Sequence, residues 1–184
     1  IRHPAAQSLS LIRNKWGYTA KAYLNNKRFT DKYLTKNQKK IATKILNKGT
    51  KTEKAFLSWC LENLYPLKYA KSNFLILTYE ELIMNSPSTI HFLANEFEIK
   101  HVPKMFKVID NPSNSSHRST IETITQIKNS NKHSLIDKWY HEIDKEMKIK
   151  LQNILNTFNI DEYSMNNIFP DKRILLFRSL KDTL

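Results

Sequence analysis

At 184 residues the chain is long enough for one domain with a real core and short for two. Its 40% hydrophobic and 26% charged residues are those of an ordinary soluble globular protein, and no run of about 18 apolar residues is present to span a membrane. Two glycines in the whole chain exclude a glycine-rich phosphate loop, Walker-type or Rossmann-type, within these residues. The net charge of +13 points to an anionic cofactor or acceptor, a nucleic acid or an acidic membrane surface, or else to plainly solvated lysine.

The single cysteine, Cys60, has no internal partner and fits a reducing compartment. Ile1 is not a natural start, so the chain reads as a piece of something longer. Ile1-Arg2 reads as the end of a strand. Pro4 suits the first position of a helix, where its missing N–H is no loss, and Leu9, Ile12 and Trp16 follow at helical spacing. An arginine at a strand end, with Ser8 and Ser10 on the helix after it, is good chemistry for an anion. The helix start offers free N–H groups and the positive dipole end, and Arg2 adds a planar two-donor fork.

Residues 17–29 read as an aromatic-dotted loop with room for a short helix. Asn37 to Leu46 reads as a helix with Ile41 and Ile45 inward and Gly49 at its C-terminal cap. Lys36, Lys39, Lys40, Lys44 and Lys48 are spread along it rather than focused with aromatics, which argues against a nucleic-acid module. Thr52 to Ala70 is the best helix of the first half, capped by Thr52, with Phe56, Trp59, Cys60, Leu64 and Leu67 as its buried stripe and Pro66 predicting a kink or break. Asn73 to Tyr79 is a continuous apolar run, the pattern of a strand buried on both faces of a parallel sheet. Ser86 and Pro87 open a helix with Ile90, Leu93, Ala94 and Phe97 on one face. Asp110 to Thr120 is a loop rich in hydroxyls, with His117 a solvated histidine. Trp139 reads as a core anchor, and a helix from about Asp144 carries Met147, Leu151, Ile154, Leu155 and Phe158. Beyond it, Tyr163 to Leu184 is a tail broken by Pro170 and made amphipathic by Ile174, Leu175 and Phe177.

Three of these stretches, in this order, resemble the sulfotransferases that use 3′-phosphoadenosine 5′-phosphosulfate (PAPS). Arg2-His3-Pro4, with Ser10 eight residues after the arginine, is similar to the family's 3′-phosphate-binding segment. An apolar strand followed by Tyr79-Glu80-Glu81-Leu82, Pro87 and a helix through Phe92-Leu93 resembles a second family pattern, with Glu98 where the family usually has glycine. Counting back from Trp139, Lys132, His133 and Ser134 stand where the family has arginine, lysine and glycine ahead of its tryptophan. Lysine gives a point charge in place of a fork, and serine restricts how closely the loop wraps a phosphate.

The resemblance implies an α/β, P-loop-type fold, a parallel sheet flanked by helices, of which this chain would be the helix-rich C-terminal portion. Residues 1–160 would belong to the sulfotransferase domain and 161–184 to a helical extension. The implied cofactor is PAPS, or its desulfated product PAP. Arg2, Ser10, Lys132 and His133 would face the 3′-phosphate, Tyr79 would lie near the adenine, and Ser115, Ser116 and Arg118 would approach the base or the phosphate. Glu80 and Glu81 read as structural. The phosphosulfate loop and the general base precede the Arg2 segment in the family, so no catalytic residue is assigned, and no metal is expected. The acceptor would be a small molecule or a glycan, in the cytoplasm for a soluble enzyme or the Golgi lumen for an anchored one, with homo-oligomers open. The competing readings are a non-catalytic binding or scaffold domain of the same family and a basic nucleic-acid-binding module.

Overall fold

The computed structural model describes residues 1–69, 75–109, 125 and 131–171. These form ten helices and no strand. In chain order they are α1 (Pro4–Arg13), α2 (Ala20–Asn25), α3 (Lys27–Tyr33), α4 (Lys36–Lys48), α5 (Lys51–Tyr69), α6 (Tyr79–Met84), α7 (Ser86–Glu96), α8 (Val102–Ile109), α9 (His133–Glu142) and α10 (Lys145–Phe158).

The helix α5 is the hub. Phe56, Leu57, Trp59, Cys60, Leu61 and Leu64 are buried around nearly its whole circumference, as a helix needs when it is covered on several sides. α1, α2, α4 and α10 all pack on it. Its N-terminus is closed by a capping box at Thr50, two residues earlier than Thr52: the Thr50 hydroxyl accepts from Glu53 N–H at 3.2 Å and the Glu53 carboxylate accepts from Thr50 N–H at 2.8 Å. The expected break at Pro66 does not occur, and α5 runs on to Tyr69. Proline costs a helix one bond to the carbonyl four residues back, and here it falls in the last turns, where there is little helix left to break.

The α/β expectation is overturned among the described residues. Leu75–Thr78 lie outside any helix, and Tyr79 already opens α6. The segment meets the chain start in two backbone bonds: Ile1 N donates to the Leu77 carbonyl at 2.5 Å and Tyr79 N–H donates to the Ile1 carbonyl at 2.7 Å. That spacing is ladder-like, but one residue so paired is no sheet. The apolar run misled because period alone cannot tell a sandwiched strand from another part-buried segment. Leu75, Ile76 and Leu77 are only half-buried and line a cleft.

Other boundaries shift for local reasons. Residues 17–29, read as a loop with room for a short helix, hold α2 and the start of α3; Ala20 of α2 is fully buried and its N–H donates to the Ser58 hydroxyl of α5 at 3.1 Å. Phe97 is 61% exposed rather than on the buried face of α7, where Ile90 and Ala94 are buried. Asn85, not Ser86, stands at the N-cap of α7. Residues 161–171 are not helical, yet Tyr163 and Met165 are buried in the same core as α5.

Candidate functional site: the cleft at Arg2 and Tyr79

The chain start and the start of α6 are stitched together, and the stitching builds the site. Besides the two bonds of Ile1, His3 N–H donates to Glu80 Oε1 at 2.8 Å. Trp59 Nε1–H of α5 donates to the Arg2 carbonyl at 2.9 Å. The backbone on both sides of Arg2 is therefore held, by residues 77–80 and by Trp59 of α5, and this fixes where its side chain leaves the chain.

Beside it opens a cleft of about 570 Å³, lined by Ile1, Arg2, Gln7, Pro66, Leu75–Thr78, Tyr79 and Leu82. That volume is within the range of small-ligand sites, and the lining is largely apolar with a few polar groups, as such sites are. The Arg2 guanidinium lies over the Tyr79 ring, 4.6 Å from its centroid, and one terminal nitrogen reaches the Leu135 carbonyl of α9 at 3.5 Å. Arg2 Nε is buried and has no hydrogen-bond partner among the described residues. Stacking fixes the plane of the fork.

Behind Arg2 the chain is dry. His3 is fully buried, its ring stacked on Trp139 at 3.9 Å and edge-on to Tyr163 at 5.4 Å. Its Nδ1 accepts from Ala5 N–H at 3.3 Å and so caps α1. That leaves the proton on Nε2, which donates to the Ser164 carbonyl at 3.2 Å. Burial, against the pull of the carbonyls of Ser164 and Asn167, lowers its pKa to about 3, so the ring is neutral. Glu80 is also buried, and burial raises its pKa despite the His3 N–H and the nearby Arg2 charge, which favour the carboxylate.

The predicted residues divide three ways. Arg2 and Tyr79 meet at the cleft. Ser10 does not line it, but follows Gln7, which does, by three residues on the same face of α1. The Ser8 hydroxyl is spent on the Pro4 carbonyl at 2.7 Å. Lys132, half-buried, occupies the N-cap of α9, and His133, exposed, is the first residue of that helix. The Leu135 carbonyl bonded by Arg2 lies in this same first turn. Ser115, Ser116 and Arg118, with His117, lie outside the described residues.

His3, Gln7 and Tyr163 were not anticipated. The one local signal for His3 was its place directly before a proline at a helix start, where a side-chain acceptor is wanted. Among the described residues no group of three His, Cys, Asp or Glu side chains could hold a metal ion, and no helix is long and apolar enough to cross a membrane. No family model, curated protein or solved structure matches the chain.

Proposed function

We propose that this cleft holds the 3′-phosphate and adenine side of a PAPS-dependent sulfotransferase site, the reaction being transfer of a sulfuryl group to a hydroxyl or amine. The observation that carries the reading is the Arg2 guanidinium laid over Tyr79 at the cleft. Two further contacts support it. The three stretches on which the resemblance rests meet around one point, through His3 to Glu80 across 77 residues and Arg2 to Leu135 across 133. Such separations do not arise from local sequence. The support comes from this chemistry, not from a sheet, which the described residues lack.

The donor set fits a phosphorylated nucleotide. Arg2 offers a fork of fixed plane, Lys132 a second cation at the start of α9, and Ser10 a hydroxyl on the Gln7 face of α1. The apolar wall of Pro66, Leu75, Leu77 and Leu82 suits a flat base. When bound, PAPS supplies the sulfuryl group. This chain's residues then orient the nucleotide and neutralise its charge, and positioning of that kind is a large part of group-transfer catalysis.

The test is calorimetric titration of the chain with adenosine 3′,5′-bisphosphate. Binding in the micromolar range is expected. Arg2→Ala should weaken it by about 1.5–3 kcal/mol, the usual worth of a charged hydrogen bond, while adenosine without phosphates should bind both forms alike. Arg2→Ala should lower the unfolding midpoint only modestly, since the side chain is half-buried and its loss removes the stack on Tyr79 and one 3.5 Å bond to the Leu135 carbonyl. No binding, or equal binding by the two forms, overturns the reading.

A further inference from the structure

From Lys32 to Lys51 the chain carries seven lysines and no acidic residue. Four of them, Lys36, Lys40, Lys44 and Lys48, recur every fourth residue along α4 and are all exposed. At 1.5 Å per residue the ammonium groups rise from a line about 18 Å long. None of the four forms an ion pair among the described residues. On the same face, between the lysines, stand the exposed neutral groups Thr43 and Asn47.

This arrangement works against the helix that carries it. Like charges four residues apart repel, and Lys36 stands in the first turn, at the positive end of the dipole. α4 withstands this by other means: a Thr35–Gln38 capping box, burial of Ala42 and Ile45, and a bond from the Gln38 amide to the Thr157 carbonyl at 2.9 Å. α10 has a comparable length and solves the same problem conventionally, pairing Glu146 with Lys150 at 2.6 Å.

We infer that the outer face of α4 is a docking strip for a linear anionic polysaccharide, independent of the nucleotide cleft. Charge complementarity requires a polyanion. The strip has no arginine to make a bidentate fork on phosphate and no exposed aromatic ring on which a base would stack, the usual means of gripping nucleic acid. Point charges interleaved with the Asn47 amide, and with the Thr43 hydroxyl, which donates to the Lys39 carbonyl at 2.8 Å and is left as an acceptor, suit a chain that offers carboxylates or sulfates together with many hydroxyls.

The experiment is binding of the chain to heparin and to polygalacturonate, with single-stranded and duplex DNA as comparison probes, from 50 to 200 mM salt. Both polysaccharides should bind more tightly than either DNA at equal salt, losing about tenfold or more in affinity across that range. The quadruple variant K36Q/K40Q/K44Q/K48Q should lose at least about tenfold at the lower salt, while its fold persists or gains stability because the repulsion is gone. A control with the same change in net charge, K100Q/K104Q/K107Q/K145Q, should lose less than about threefold. Equal losses in the two variants, or tighter binding of DNA, overturn the inference. Binding of adenosine 3′,5′-bisphosphate should be the same in both variants, so the strip and the cleft fail or stand separately.

Discussion

Arg2 and His3 are neighbours in the chain and opposites in environment. His3 is wholly buried, neutral, and has both ring nitrogens satisfied by backbone. Arg2 is half-buried and charged, its plane set by Tyr79 beside a cleft, with its buried Nε left without a partner among the described residues. Successive side chains in an extended segment point to opposite sides, so one dipeptide can serve two purposes. The dry side fixes where the chain start sits, and the wet side presents a cation to the cleft, steadied by Tyr79 and the Leu135 carbonyl. Damage to the dry side should therefore appear as stability, and damage to the wet side as binding.

The largest effect expected is on the dry side. Trp139 is 2% exposed and stacked on the His3 ring, so Trp139→Ala should cost about 3–5 kcal/mol in urea-denaturation free energy. A loss under about 1 kcal/mol would mean that the stack closes over the gap and that the two sides are not so different.

Acid should also separate the two sides. Unfolded, His3 takes up a proton near pH 6.5; folded, it stays neutral down to about 3. The folded state binds fewer protons across that window. The stability held above pH 6.5 is therefore lost as the pH falls through it, at up to about 1.4 kcal/mol per unit. Glu80 and Glu162, whose pKa values are raised by burial, act with the opposite sign as the pH drops towards 4.5, so the histidine effect is cleanest in the upper part of the window. Between pH 7 and 5.5 the wild type should lose about 1.2–1.4 kcal/mol more than His3→Gln, which cannot titrate. Parallel profiles for the two proteins would mean that the imidazole is accessible to protons.

What was legible in the sequence follows the same division. Arg2, Tyr79 and Lys132 stand out in the sequence because each belongs to a short pattern with its own chemistry, and the structure brings Arg2 onto Tyr79 and within reach of the first turn of α9, at whose N-cap position Lys132 stands. Trp139 was recognisable as a core residue from its type and setting. The role of His3 was not legible, because its partners Trp139, Tyr163 and Ser164 are far along the chain and no local pattern announces them. The strand over 73–79 was misread for a related reason. Its described apolar residues Leu75, Ile76 and Leu77 line a cleft, and only the tertiary structure says so, while residues 73 and 74 lie outside the described residues. Residues 17–29 left room for one short helix; the sequence does not place it, because packing on α5, rather than a clean apolar period, holds Ala20 of α2.

The smallest effect tests a helix end remote from both Arg2 and His3. α7 closes with Ile99 N–H donating to the Ala94 carbonyl at 2.9 Å and Glu98 N–H directed at the Asn95 carbonyl at 3.4 Å, the paired bonds of a Schellman cap. That cap needs one residue in the left-handed region, and Glu98 has φ 50. This is the position at which the resemblance led one to expect glycine. α1 ends in the same way with Lys15 at φ 54, and α10 with Asn159 at φ 52, so a chain with two glycines closes three helices without one. An L-residue pays about 1–2 kcal/mol for this conformation, and glycine recovers that less its own entropic cost of about 0.5–1 kcal/mol. Glu98→Gly should accordingly stabilise the fold by about 0.5–1 kcal/mol, a rise of about 1–4 °C in Tm, with nucleotide binding unchanged. Glu98→Ala keeps the Cβ that causes the strain and should give no such gain. If alanine stabilised as much as glycine, the benefit would come from removing the carboxylate rather than from the backbone.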